Sequence, residues 1–442
     1  MRANSILSAS STIAFSRKSP WITFCLLIGI MFFLNHNVFT TIQETPTAEE
    51  QMSMVGEGNF ARRIGLLLLG LLGLVNVSRR SKKRFQINGS LGWLLLFFIY
   101  WSFLTVFWST DEFLTIRRLV VFSLFLAGIV GAAKRFSFLD VCSFAFASST
   151  IYLVMGVVVE IAFGTFHPLS SNYRFSGTIT PNSQGINCAM MFLSAVYFQN
   201  NETRSKALYF VAAGIAFSFL CLTGSRGAFI SMGLALAVYS MLVTSSLRIT
   251  IWIWSTCIVL LLLMLVIGDS LVPYLGQGVL LGRGDTNLPT VGVRIQLWKE
   301  CLVYIAQQPI LGYGYNAFWT PKMIAKMSYS QNWGPGIAEG HSAYIDLALG
   351  TGLVGMLTYV LILGILAKRL FALYKCSNSK TYAYWFALIV FGISNGIIES
   401  VIIVPTALSF IITLVLINMS FLPKGIRYSA MIPVRNRSSR IC

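Results

Sequence analysis

Charge is scarce in this chain. Only 11% of its 442 residues are Asp, Glu, Lys or Arg, less than half the share usual in soluble domains, which excludes an ordinary water-soluble fold. Acids are the scarcer sign, with 15 Asp and Glu against 33 Lys and Arg. No group of carboxylates has metal-ligand spacing, so the sequence predicts no metal and no cofactor. Histidine occurs only as His36, His167 and His341, and each is weighed singly. The eight Cys include no CxxC pair and fall mainly in apolar runs, where a thiol behaves as a small hydrophobe. Neither a disulfide framework nor a zinc site follows. Internal repeats and low-complexity tracts are lacking too.

Apolar sequence is what the chain has in abundance. Hydrophobic residues make up 56% of it, gathered into runs near the ~17–25 residues that cross a bilayer. Twelve such runs are centred on 21–39, 61–77, 91–108, 119–133, 138–163, 184–198, 207–223, 226–244, 249–268, 343–366, 382–399 and 402–422. The expectation is an all-α polytopic membrane protein with about twelve transmembrane helices. Lys and Arg near span ends set the orientation. The cluster from Arg79 to Arg84, with Lys134, Arg135, Lys368, Arg369, Lys375 and Lys380, falls on one side together with both termini, which are therefore cytoplasmic. The first run follows Arg17 and Lys18 as a signal peptide would, yet it has no close small-residue cleavage site and is read as an uncleaved span. The net charge of +18 is dispersed over short loops. It expresses orientation and attraction to anionic lipid rather than nucleic-acid binding.

The chain thus divides into an N-terminal bundle of about nine spans (1–268), a long extracytoplasmic loop (269–341), three C-terminal spans (342–422) and a basic cytoplasmic tail (423–442). A loop of that length inside a compact domain points to function. Within it Ile295, Trp298, Leu302 and Ile305 recur at helical spacing, predicting a short amphipathic helix over 293–308 at the outer interface, stopped by Pro309. The outer loop 40–59 is acidic, and Asp111 with Glu112 reads as a solvated outer turn.

Basic residues are disfavoured on the outer side, yet Arg174, Arg226 and Arg294 lie there beside spans or the interfacial helix. Such positions are functional candidates, because the planar guanidinium fits phosphate oxygens two at a time. Three converging would make a diphosphate site; singly, each would pair with a headgroup or a nearby acid. In GSRG, Ser225 is placed to cap a helix whose positive end faces the same anion. His341 stands where the long loop meets the tenth span. An imidazole of ordinary pKa near ~6.5 accepts a hydroxyl proton, and neighbouring Arg charge would push that pKa down and keep the ring neutral. A structural His is the competing account. Glu339 is a supporting candidate, and Asp346 or Glu399, near the outer ends of their spans, would orient His341 or pair with an Arg. GYGYNAFW (312–319), including Tyr315, offers rings to stack on sugars or to sit at the membrane interface. GTGLVG (350–355) matches a dinucleotide fingerprint but lies inside an apolar run, so it is read as close helix packing.

The order of RFSGTITPNSQG (174–185), TGSRG (223–227), VRIQLW followed by PILGYGYNAFW, and EGHSAYIDLALGTGLVG resembles the O-antigen ligase and polymerase superfamily, most closely the bacterial exopolysaccharide polymerases. The resemblance implies a GT-C-like, metal-independent, inverting glycosyltransferase in a bacterial inner membrane. Its donor would be a polyprenyl-diphosphate-linked glycan, and its acceptor a glycan or a second lipid-linked unit. Membrane lipid, a chain-length regulator and a flippase would be its partners. It also implies Arg174, Arg226 and Arg294 as diphosphate ligands and His341 as base. A ligase differs from a polymerase only in the acceptor. A flippase for the same lipid-linked sugar is the rival class, expected to place ionisable groups near the bilayer midplane.

Overall fold

A computed structural model describes residues 20–35, 60–79, 85–170, 173–201, 205–244, 290–327 and 339–421. These are helices and connecting loops, with no strand among the described residues. The helices are α1 (Pro20–Asn35), α2 (Phe60–Ser78), α3 (Gly89–Leu104), α4 (Glu112–Arg135), α5 (Phe138–Ala162), α6 (Pro181–Asn201), α7 (Lys206–Thr223), α8 (Arg226–Val243), α9 (Thr290–Gln307), α10 (Pro321–Lys326), α11 (Ala343–Ser377), α12 (Lys380–Asn395) and α13 (Ala407–Phe421). Six stretches among the described residues, α3 with its following 3-10 turn, α4, α5, α7, α8 and α11, are long and apolar enough to cross a membrane, and two shorter apolar helices lie within α1 and α13. The chain is a multi-pass helical membrane protein. The apolar run 249–268, the acidic loop 40–59 and most of the long outer loop lie outside the described residues.

Local chemistry sets the helix ends. Asp111, read as part of a solvated turn, instead caps α4: its carboxylate accepts the Leu114 N–H at 2.9 Å. Ser137 and Asp140 form a reciprocal capping box at the start of α5, satisfying two orphan donors. Gly224, at φ 62°, ends α7 in the left-handed conformation that a residue without Cβ adopts freely.

The helices alternate in direction, which separates two ends of the bundle. At one end Lys134 donates to the Val77 carbonyl, Arg369 to the Asn88 carbonyl and Lys380 to the Asn200 carbonyl. From there α5 and α12 run to Glu160 and Asn395, bringing the opposite end to residues 160–180, 224–226, 339–342 and 396–406. Residues 396–406 form an irregular segment between α12 and α13, where the apolar pattern alone suggests two nearly abutting spans.

Outside the bundle, α9 and α10 pack with 312–319 on the first turns of α11 around Leu297, Cys301, Tyr313, Phe318, Trp319 and Leu349. The helix expected over 293–308 is present and ends before Pro309, but its buried face is Leu297, Cys301 and Ile305, while Ile295 and Leu302 are exposed. Apolar residues occur on both faces of α9, so spacing does not single out the packed one. Tyr313, Tyr315, Phe318 and Trp319 are all buried. The rings of Tyr313, Phe318 and Trp319 pack edge-on among themselves and with Tyr304, and Tyr315 packs on Phe122, so they pack against protein rather than face a sugar.

Near its start α11 breaks at Gly352, φ 68° and ψ 179°. The 309–314 strap docks into that break: Tyr313 and Gly314 N–H groups donate to the Leu349 and Gly350 carbonyls, and Leu353 N–H donates to the Pro309 carbonyl. The indole groups of Trp101 and Trp108 donate to Thr351 and Leu311 carbonyls alongside. GTGLVG therefore serves close packing, with a loop rather than a second helix as the partner.

Candidate active site

Glu399 is the hub of the site. Its Oε1 accepts from Arg294 Nη2 at 2.9 Å and from Asn182 Nδ2 at 2.8 Å, and its Oε2 lies 3.9 Å from His341 Nδ1. Arg294 is fixed further by a bond from Nη1 to the Ile398 carbonyl. Arg174 joins through Asn182, whose Oδ1 it engages at 3.1 Å, while its Nε donates to the Thr223 carbonyl. Burial and the nearby Arg226 pull the Arg174 pKa down, against Glu399, which pulls it up; the guanidinium stays charged regardless. Arg226 itself, half-buried at the first turn of α8, has no hydrogen-bond partner among the described residues.

Three supports aim these groups. The Glu160 carboxylate, at the end of α5, accepts the Ser176 and Gly177 N–H groups at 2.9 and 2.6 Å and the Tyr173 hydroxyl, fixing the loop that carries Arg174. Asp346, buried in the first turn of α11, accepts from Trp319 Nε1 and Gly340 N–H, each at 2.8 Å, and from Ser400. It thereby ties together the aromatic cluster, the 339–342 turn and the segment bearing Glu399. Trp298 on α9 donates to the Gly340 carbonyl at 2.9 Å, bringing Arg294 to the same place.

His341 has a φ of 48°, a left-handed conformation uncommon for a residue with a Cβ and held only where the surroundings impose it. Nδ1 is shut off from solvent and lies 3.2 Å from Glu339 without a linear hydrogen bond. The side chain is still 25% exposed, so its exposure lies on the rest of the ring. Burial lowers the His341 pKa, but Glu339 and Glu399 outweigh it and raise the value to about 9. This corrects the expectation of a ring kept neutral by arginines: two carboxylates stand closer, and at neutral pH the resting ring is an imidazolium. Burial also raises the Glu399 pKa, but His341 and Arg294 reverse the effect and hold it below the usual range.

Glu339, His341 and Glu399 present ligand atoms within 4.8 Å of one another. The two carboxylates there face Arg294 and the His341 ring.

The structure therefore brings Arg174, Arg294, His341 and Glu339 around Glu399, with Arg226 within electrostatic reach of Arg174. Two supporting candidates do not play the parts expected of them. Ser225 occupies the N-cap position of α8, but its hydroxyl makes no capping bond. Tyr315 packs on Phe122 and its N–H donates to Thr105 Oγ1, on the far side of the 312–319 strap. Asn182 escaped the sequence reading; its one signal is its place beside Pro181 at the start of an apolar run, eight residues after Arg174.

Residues 211–360, about a third of the chain, match the family model described as O-antigen ligase, a span that contains Arg226, Arg294 and His341. Over that segment the chain is similar to the O-antigen ligase family. It is also 24% identical over 288 residues to the exopolysaccharide production protein ExoQ of Rhizobium meliloti (strain 1021), covering 61% of this chain and 63% of that relative's length. Arg174, Asn182 and Glu399 lie outside the matched segment, so part of the cluster comes from flanking stretches of the chain.

Proposed function

We propose that the chain polymerises polyprenyl-diphosphate-linked oligosaccharide units into a surface polysaccharide at the outer face of a bacterial inner membrane, by metal-independent, inverting glycosyl transfer. The supporting observation is the joining of Arg174, Arg294 and His341 through Glu399, with Arg226 unpartnered beside them. The guanidinium groups hold the donor diphosphate and stabilise the charge that develops on it as the anomeric C–O bond breaks and the lipid diphosphate leaves with the electron pair. The acceptor hydroxyl oxygen forms the new bond to that carbon from the opposite face, and its proton passes to the His341 ring. Glu339 and Glu399 flank Nδ1 and stabilise the imidazolium so formed, the part a carboxylate plays beside a catalytic His. The reading includes twelve spans with both termini cytoplasmic. The charged groups lie at helix ends, which disfavours a midplane carrier.

The name of the ExoQ relative, exopolysaccharide production, favours a polymerase, and the family description keeps a ligase as the second reading. A gel profile of lipid-linked and surface glycan from a deletion strain decides between them. Accumulated single repeat units, rescued by the wild-type gene but not by His341→Ala at equal protein level, are the expected result. Long lipid-linked polymer left unattached would mean a ligase, and full rescue by His341→Ala would remove the base.

The pH dependence has a definite sign. A base must be neutral to accept a proton, so kcat/KM is expected to rise about tenfold per pH unit up to the His341 pKa of about 9 and then level. The ion pairs of His341 stabilise the fold fully below ~6.5, and that contribution fades as pH rises through about 9. A rate that falls above neutrality would assign His341 a cationic binding role instead. Arg226→Lys and Arg294→Lys keep the charge but lose the fork, and each is expected to lower kcat/KM by at least about tenfold, at a cost of roughly 1.4 kcal/mol. Full activity in both variants would count against a diphosphate clamp.

A further inference from the structure

A second cationic site lies beside α2 and α4, away from Glu399. The two helices run in the same direction and pack through small residues: a Cβ added at Gly70 would meet the Leu124 side chain at 2.5 Å, and one at Gly73 the Ala127 carbonyl at 2.2 Å. At their cytoplasmic end Lys134 Nζ reaches the Val77 carbonyl at 3.0 Å. Carried about two turns the other way, the same register sets Arg62 beside the turn of α4 that contains Arg118. Arg62 and Arg117 both lie within electrostatic reach of Arg118, as does the Tyr315 ring. Arg118 Nε is buried with no hydrogen-bond partner among the described residues, and none of their carboxylates is among the charges acting on Arg118. Asp111 on the same helix is already spent capping its first turn.

Like charges facing each other in a membrane-embedded bundle repel strongly at low dielectric, and intramembrane arginines ordinarily find a counter-charge. Arg62 and Arg118 have none among the described residues. The acids of the 40–59 loop lie outside the described residues; the charge that the described residues lack matches an anion at the depth of the outer leaflet, where phosphate groups are carried on lipids.

We propose that Arg62 and Arg118 form a second binding site for a lipid-borne phosphate, distinct from the Arg174–Arg226–Arg294 cluster. Tyr315 connects the two regions, since it follows Gly314, whose N–H is bonded to the Gly350 carbonyl on the helix that His341 precedes. By helical rise the two sites are on the order of 10–20 Å apart. A polymerase joins two lipid-linked chains, so it needs one diphosphate site for the donor and another that anchors the acceptor while its terminal sugar reaches His341. The identity of the ligand rests on the polymerase reading; the site does not.

The test is a binding titration of purified full-length protein in detergent with farnesyl diphosphate, read as stoichiometry and as the ligand-induced rise in Tm. Wild type is expected to take up two equivalents. Arg62→Gln and Arg118→Gln are each expected to leave one, and to leave the unliganded Tm unchanged or higher because repulsion is relieved. Arg226→Gln is expected to remove the other equivalent. Dihexanoyl phosphatidylglycerol distinguishes the source: if it fails to displace the equivalent that depends on Arg118, the site selects a diphosphate and serves the acceptor. Displacement at equal concentration makes the occupant a phospholipid. If Arg118→Gln still binds two equivalents, or its unliganded Tm falls, Arg118 has a partner within the chain and the second site is overturned. Loss of only the Arg118-dependent equivalent across all variants would leave this site standing and remove the donor clamp instead.

Discussion

Glu399→Ala is expected to lower glycan transfer about a thousandfold at unchanged protein level, and Glu399→Gln to lower it less while moving the rise in the pH–rate profile from about 9 toward the ordinary imidazole value near 6.5. The magnitudes follow from what the carboxylate touches. It accepts from Arg294 and Asn182 and lies 3.9 Å from His341, so its removal releases a diphosphate ligand, the residue holding Arg174, and one of the two charges on the base. Misplacing a positioning group by about 1 Å costs on the order of 10²-fold, and weakening general-base catalysis costs a further share of its ~10²–10⁴. Glutamine retains an oxygen for Arg294 and Asn182 but not the charge, so in that variant Glu339 alone supports the imidazolium. The pKa of His341 falls, more of the ring is neutral at pH 7, and the base is weaker. A merely structural Glu399 would change yield or Tm without moving the pH profile. Transfer assayed in proteoliposomes between pH 5.5 and 9.5 separates the two accounts, and wild-type kinetics in Glu399→Ala would sink the hub.

How far such a site can be read from sequence depends on which of its contacts are local. Arg174, Arg226, Arg294 and His341 stand out because basic residues are disfavoured outside and His is rare, properties visible without a fold. Glu399 was legible only as one of two acids near span ends, since its partners come from α6, α9 and the turn before α11, far apart along the chain. The sign of the His341 shift was missed for the same reason: three arginines are obvious in the outer segments, whereas Glu399 approaches only once α12 turns back. Helices were legible because apolar runs of bilayer length have few alternatives. The packed face of α9 was not, because with Ile295 and Leu302 on one side and Leu297, Cys301 and Ile305 on the other the spacing admits two answers. The aromatic run 312–319 advertises stacking, and only tertiary burial shows that its rings are already used.

Gly352→Ala is expected to destabilise the protein by on the order of 3 kcal/mol or more, with a large drop in Tm and in folded yield, while Gly364→Ala on the same helix is neutral or slightly stabilising. At Gly352 the backbone sits at φ 68°, and an added Cβ would lie 1.9 Å from the Ile310 carbonyl oxygen. A left-handed conformation in a residue with a Cβ costs roughly 1–3 kcal/mol, and forcing atoms into a filled interface costs about 1–3 more. Relief requires either closing the break in α11 or expelling the strap. Closing it would take the Leu349 and Gly350 carbonyls away from Tyr313 and Gly314; expelling the strap would open the cluster that seats Trp319 against Asp346. Both routes loosen the turn holding His341, so any protein that still folds should lose transfer more than its Tm alone accounts for. Gly364 has open space around its missing Cβ and lies in regular helix, where Ala is favoured by about 1 kcal/mol over Gly. Equal melting temperatures for the two variants in detergent would mean that the break is not needed, and that the strap and the turn before α11 are held by other contacts.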